Sequence, residues 1–254
     1  MTTDEYLQAV INRNIAVTGD ASPAALAGNA VYQIANQWAG NQLRSATYSG
    51  SYAKGTAVRG QTDVDIFMSL RSDTSTTLRE IFEGLHSWMV NRGYPSARQQ
   101  NVSIHVNHRG VEVDLVPGVH YGDNTEYHWL YVNKANRHRT QTNISLHIDT
   151  VRRSGRIREI VLTKIWKKNH ALDFPSFYLE LIVLEALKYS RASLSDSFWA
   201  VLQYLEENFL SSRIVDPANS NNIISDDLTE AEKRVVSNKA GESRHQRAWE
   251  RIVW

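Results

Sequence analysis

The stretch Gly50-Ser51-Tyr52-Ala53-Lys54-Gly55-Thr56, followed after six residues by Asp63-Val64-Asp65, decides the reading of this chain. Two glycines bracket a short loop that carries hydroxyls and a lysine. Such a loop can turn backbone N–H groups and the Ser51 hydroxyl toward phosphate oxygens. It is not a Walker A loop, which needs Lys and Ser/Thr after its second glycine; here Lys54 precedes Gly55. Residues 63–70 read as a strand. Side chains two apart on a strand share a face, so Asp63 and Asp65 point the same way. Carboxylates converging on one point repel unless a cation lies between them. Mg²⁺ is a hard cation held by a few carboxylates together with substrate phosphates.

A third acid lies downstream, in Val111-Glu112-Val113-Asp114-Leu115-Val116. Val111, Val113 and Leu115 share one face of a strand; Glu112 and Asp114 share the other. An acid in mid-strand between apolar neighbours is costly unless a cation or a donor meets it. Three carboxylates can hold two Mg²⁺ ions, as in-line phosphoryl transfer requires. Runs 101–106 and 111–116 alternate on either side of Asn107-His108-Arg109-Gly110, a hairpin signal.

Around this centre the periodicity predicts helices over 3–14, 23–45, 74–92, 155–170, 175–190 and 195–210. Ser22-Pro23 is an N-cap followed by proline at the first helical position. Behind it Leu26, Val31, Ile34, Trp38 and Leu43 fall on roughly one stripe. A boundary is expected near residue 145, with mixed strand and helix in 1–145 and almost all helix in 146–254.

The 254 residues allow one large domain or two small ones and a sizeable core. Hydrophobic residues are 42% and charged residues 22%, which excludes disordered, collagen-like and coiled-coil chains. No run of about 18 apolar residues spans a membrane, and Met1-Thr2-Thr3-Asp4-Glu5 lacks the build of a signal peptide. There are no cysteines, so disulfides, thiolate zinc sites and a cysteine nucleophile are excluded, and a reducing cytoplasm is the expected location. The net charge of +1 conceals a dipole: residues 134–170 carry ten Lys/Arg against two acids, and residues 171–232 three against eleven. A basic stretch of that density fits either a nearby polyanion or a solvated helix face. Arg152, Arg153, Arg156 and Arg158 are its ambiguous part, meeting an acceptor nucleotide in one reading and water in the other. His105 and His108 are three apart, but with no H-E-x-x-H they are not read as a zinc pair.

With the glycine/hydroxyl loop, Asp-Val-Asp and the lone strand acid in order, the chain resembles the DNA polymerase β-like nucleotidyltransferase superfamily. Within it the sequence is most similar to the bacterial cyclic-oligonucleotide synthases (CD-NTases) related to cyclic GMP-AMP synthase and 2′-5′-oligoadenylate synthetase. Val161-Leu162-Thr163-Lys164-Ile165-Trp166 resembles their lysine-bearing helix, and Pro175-Ser176-Phe177-Tyr178-Leu179-Glu180-Leu181 their Pro-Ser-Tyr-x-Leu-Glu-Leu helix start. Val215-Asp216-Pro217-Ala218-Asn219-Ser220-Asn221-Asn222 is similar to their Asp-Pro-x-x-Pro-x-Asn-Asn segment. The likeness runs from about residue 30 to 230.

The resemblance implies an α+β, two-lobed nucleotidyltransferase, with a mixed-sheet N-terminal lobe carrying the aspartates and a helical C-terminal lobe. Asp63, Asp65 and Asp114 match the catalytic and metal-binding triad for two Mg²⁺ or Mn²⁺ ions. Gly50 and Ser51 match the loop that grips the triphosphate, and Lys164 and Ser176 match positions that touch the β- and γ-phosphates. Phe177 matches an aromatic, usually Tyr, that stacks on the base. Thr62 stands where the family has Ser before the aspartates, and Ser220 replaces a proline. The implied function joins nucleoside triphosphates into a cyclic or short oligonucleotide messenger in antiphage defence, with a regulatory protein as a further partner. The alternative is a template-independent enzyme extending RNA 3′ ends, of the CCA-adding kind, for which RNA is the partner.

Overall fold

The computed structural model describes residues 1–60, 63–122, 124–134 and 137–254, with Arg137 described by its backbone alone; Thr62 lies outside these residues. The chain divides into two compact units. One comprises residues 17–55 and 61–148; the other comprises 1–16, 56–60 and 149–254. The first helix and the short segment beginning at Thr56 therefore group with the C-terminal residues.

In chain order the elements are α1 (Thr3–Asn14), α2 (Pro23–Ala39), β1 (Leu43–Tyr48), α3 (Gly50–Lys54), β2 (Val64–Leu70), α4 (Leu78–Asn91), β3 (Arg98–Gln99), β4 (Ile104–His108), β5 (Val111–His120), β6 (His128–Lys134) and β7 (Arg137–Thr142). Then come α5 (Ile144–Arg152), α6 (Ile157–Asn169), α7 (Ser176–Ala186), α8 (Leu194–Glu207), β8 (Val215–Asp216), β9 (Asn219–Ile223) and α9 (Glu230–Arg244).

The mixed unit is built on a sheet ordered β1-β2-β5-β4-β3, with β6 pairing β5 and β7 pairing β6. β2 and β5 run parallel, and every other pairing is antiparallel. Alternation sorts the side chains. Val64, Ile66, Met68 and Leu70 of β2, with Val113 and Leu115 of β5, are buried in one core with Val31, Ile81, Phe82, Leu85 and Met89 of α2 and α4. Asp65, Phe67 and Ser69 take the opposite face, as do Asp114 and Val116. Ser22 caps α2 by accepting from the Ala25 N–H, as expected, although Leu26 is exposed rather than part of the stripe.

The expected helix over 23–45 stops at Ala39. Gly40, with φ of +49°, ends it, and Leu43 starts β1, the edge strand that leads into the loop. β6, β7, α5, β8, β9 and α9 are also additional to the sequence expectation.

β6 brings a buried histidine under the sheet. His128 Nε2 lies 2.7 Å from Ser69 Oγ, and Nδ1 lies 3.1 Å from the Glu126 carbonyl. With Nδ1–H donating to that carbonyl, Nε2 accepts from the serine hydroxyl, so a neutral ring is satisfied at both nitrogens. Burial pushes the His128 pKa down from 6.5 to about 4. A base with a depressed folded pKa binds fewer protons folded than unfolded between those values, so stability falls as pH drops from 6.5 toward 4. The urea midpoint of the parent is expected to decline across that window more steeply than that of His128→Gln. Equal slopes would contradict the burial argument.

The helical unit has a core of its own. Trp166, Tyr178, Phe174, Phe198 and Phe209 are fully buried in it, together with Leu7, Val10 and Ile11 of α1. α6 is buried along nearly its whole circumference, from Glu159 to Trp166. The Trp166 indole N–H donates to Ser243 Oγ on α9 at 3.0 Å. Among the described residues no helix is long and apolar enough to cross a membrane.

Candidate active site

β1 ends at Tyr48, and the chain turns into the one-and-a-half-turn helix α3, whose first two residues are Gly50 and Ser51. The turn is stitched to β2 by a 2.8 Å hydrogen bond from the Ser49 N–H to the Asp65 carbonyl. Gly50 has φ of +56°, and a Cβ built on it would lie 1.7 Å from Asp65 Oδ2. Only glycine lets the loop backbone approach that carboxylate so closely. Tyr52 anchors the other side of α3: its hydroxyl accepts from the Gly19 N–H at 3.0 Å and lies 3.3 Å from Ser22 Oγ. Gly50→Ala is therefore expected to displace loop and carboxylate together. An ångström-scale misplacement costs on the order of a hundredfold in rate, and full activity in the variant would contradict the contact.

Asp65 and Asp114 are direct register partners on the parallel strands β2 and β5, so their carboxylates stand side by side on one face. Asp63, exposed and one residue before β2, is close enough for its charge to raise the Asp114 pKa, though burial is the larger cause of that rise. A hydrogen bond from His105 opposes it. The three aspartates are thus neighbours. Among the described residues, however, no group of three or more His, Asp or Glu side chains is gathered tightly enough to hold a metal ion. The donor set itself, hard carboxylate oxygens with two of them in adjacent strands, fits a hard divalent cation.

The hairpin behind Asp114 is built as its sequence predicts. His108 pairs with Val111 across a two-residue turn, Arg109 and Gly110, both with positive φ (53° and 84°). That geometry matches the strand twist and sets the register. Counting back from it places Asn107 opposite Glu112 and His105 opposite Asp114. His105 is buried, with Nδ1 2.8 Å from Asp114 Oδ1 and Nε2 2.5 Å from Glu112 Oε2. No reading of single segments singles out His105; only the turn-to-strand count does.

The remaining candidates lie in the helical unit. Ser176 is the exposed first residue of α7, and Phe177 is half-buried against the helical core. Lys164, which the resemblance places at the β- and γ-phosphates, has its ammonium buried, 2.6 Å from Glu180 Oε1 on α7 and 2.9 Å from Thr56 Oγ1. The Thr56 hydroxyl in turn donates to the same Glu180 oxygen at 2.7 Å. The three side chains close a triangle that fastens the last residue of the glycine loop's motif onto α6 and α7.

Much of the basic stretch is likewise spent internally. Arg156 pairs with Glu159 at 3.2 Å and donates to the Leu187 and Ser190 carbonyls, and Lys168 donates to the Arg59 carbonyl at 2.7 Å. Arg153 pairs with Asp149 at 3.0 Å, while Arg152 and Arg158 are exposed.

The profile of the family described as the Second Messenger Oligonucleotide or Dinucleotide Synthetase (SMODS) domain matches residues 1–154, which include all three aspartates and the glycine loop. The chain belongs to this family. A relative of the SMODS chain described here, the cyclic AMP-AMP-AMP synthase of Escherichia coli (strain MS 115-1), is 27% identical over 194 residues, covering 68% of this chain. The match spans only 60% of that relative's length. Among solved structures, the E. coli MS115-1 CdnC:HORMA-deltaN complex superposes with a TM-score of 0.73 at 21% identity, over 95% of this chain and 90% of that one. The Bradyrhizobium diazoefficiens CD-NTase CdnG in complex with GTP gives a TM-score of 0.76 at 11% identity, over 99% and 95%. At such identities these likenesses speak for the fold, a polymerase β-like α/β architecture.

Proposed function

We propose that this SMODS chain is a nucleotidyltransferase that joins nucleoside triphosphates, with release of pyrophosphate, into a cyclic or short oligonucleotide second messenger in antiphage defence. The observation that carries the reading is the pairing of Asp65 with Asp114 on adjacent parallel strands, beside a glycine loop pinned to Asp65. In this reading Asp63, Asp65 and Asp114 hold Mg²⁺ or Mn²⁺, two ions in all. When bound, the ions neutralise triphosphate charge and acidify the acceptor hydroxyl. Gly50 and Ser51 present N–H and hydroxyl donors to the triphosphate, and the exposed hydroxyl of Ser176 serves it too. Phe177 offers a ring face to a base; without a phenol it makes no hydrogen bond to the base edge. The chain's own contribution is positioning and charge placement. Lys164 acts by holding Thr56 and the loop's exit rather than by meeting phosphate while bound to Glu180.

CdnG was solved with GTP, and CdnC with a HORMA protein. These support nucleoside triphosphates as substrates and a regulatory protein as partner. The RNA-extending alternative draws no support from the SMODS match, and Arg156 of its candidate RNA track is committed to α6 and to carbonyls.

The test is turnover without RNA. Nuclease-treated enzyme given the four NTPs and Mn²⁺ is expected to yield oligonucleotide products, and replacing Arg152 and Arg153 together by Ala should leave their masses unchanged. Extension of an RNA 3′ end in place of NTP-only products, abolished by that double variant and falling steeply with salt, would overturn the reading.

A further inference from the structure

The His105 clamp is the feature of this site that the aspartate triad does not account for. Asp114 is buried in mid-strand, and burying a carboxylate without a donor is costly. Two donors meet it from the neighbouring strand's side, the His105 ring and the Ser103 hydroxyl just before β4. His105 sits directly across from Asp114, so its Nδ1 meets Oδ1 at 2.8 Å, while its far nitrogen reaches diagonally to Glu112. Glu112 is itself held, because Asn107 Nδ2 donates to Glu112 Oε1 at 2.7 Å and Asn107 Oδ1 accepts from the Gly110 N–H at 2.9 Å. The chain of contacts therefore begins in the two-residue turn and ends on Asp114. Every link is set by the hairpin register: a slip of one residue would carry His105 to the other face of the sheet. A free carboxylate can rotate about its terminal bond. One held at Oδ1 by a ring wedged between two acids cannot do so without breaking that bond.

We propose that His105 is a positioning residue that fixes the plane of the Asp114 carboxylate through an Nδ1–H donor, so that Asp114 is ready to take a divalent cation. The proposal rests on the metal reading above and deepens it. Partners that orient a metal-binding side chain typically matter about 10- to 100-fold in metal affinity. The Nδ1 assignment makes the role separable from simple packing. Asn places its amide nitrogen where Nδ1 stands, near Asp114. Gln places its amide nearer the position of Nε2, toward Glu112. Both are polar amides, so a general folding defect strikes them alike.

The experiment titrates Mn²⁺ into the full-length enzyme with a non-hydrolysable ATP analogue and reads free ion by electron paramagnetic resonance, with metal-free melting temperatures in parallel. His105→Asn is expected to keep Mn²⁺ affinity within about threefold of the parent, and His105→Gln to lose about 10- to 100-fold. In turnover, His105→Gln should show a lowered kcat that rises with added Mn²⁺ and an unchanged KM for NTP. If Asn and Gln bind Mn²⁺ equally, or Gln binds better, the positioning role is wrong even though the metal reading stands. If the parent binds no more Mn²⁺ than Asp65→Asn does, the metal reading fails and this inference falls with it.

Discussion

Asp65→Asn is expected to lower product formation by about a thousandfold while leaving the metal-free protein at least as stable as the parent. The size follows from the position. Asp65 faces Asp114 across the parallel β2–β5 pair and touches the Gly50 backbone, so it stands where loop and carboxylates converge. Removing one preorganised charge from such a centre costs on the order of 10²–10³ in rate. Asp65 is at the upper end because both the Asp114 carboxylate and the Gly50 loop lie against it. Stability runs the other way. Asn has the shape of Asp, fits against Gly50, and removes one of two adjacent like charges. The melting temperature without metal should be equal to or above the parent's. Retained activity in a folded Asp65→Asn would remove the metal assignment.

Lys164→Ala should do the opposite, unfolding the protein before it impairs chemistry. Its ammonium and the Glu180 carboxylate are both buried, with the Thr56 hydroxyl bonded to each. Breaking a buried pair by deleting one partner leaves an uncompensated charge and costs about 3–5 kcal/mol. In a chain of this size that corresponds to a melting temperature lower by about 10 °C. Removing the acid as well, in Lys164→Met with Glu180→Leu, should recover much of the loss, because apolar replacement of a buried pair is often near neutral. A lysine serving only as a phosphate ligand would behave otherwise: Lys164→Ala would melt like the parent and lose NTP affinity. Melting curves of the single and double variants, with nucleotide titrations beside them, separate the two.

The contrast between these residues shows what could be read from the chain. The Asp63/Asp65 pair and the split of Val111-Glu112-Val113-Asp114-Leu115 into an apolar and an acidic face are period-two patterns, and such patterns survive any tertiary context. α1, α4 and α8 bury one stripe each at the 3.6-residue period and are legible for the same reason, whereas α6 and α7 are buried nearly all round and are marked by their apolar length and the Pro175 between them. β1 is not legible. Leu43 falls on the helical stripe of α2, and only Gly40, a left-handed stop, argues against continuing the helix. α9 had a legible signal, the capping box formed by Thr229 and Glu232, although its stripe is weak. The buried contacts of Lys164 are not legible because its partners, Glu180 and Thr56, are 16 and 108 residues away. A lysine in an apolar helix has the same sequence whether it reaches solvent or a buried acid. His105 becomes visible only once the Arg109-Gly110 turn sets the register.

In the proposed reaction the enzyme joins nucleotides to one another at these carboxylates. The most direct test is mass analysis of phosphatase-treated products from purified enzyme, NTPs and Mn²⁺ or Mg²⁺ with no RNA present, run beside Asp65→Asn. The parent is expected to give phosphatase-resistant species at the masses of cyclic or short oligonucleotides, and Asp65→Asn none. Only nucleosides after phosphatase treatment in both samples, with an RNA 3′ end extended when one is supplied, would contradict the proposed reaction.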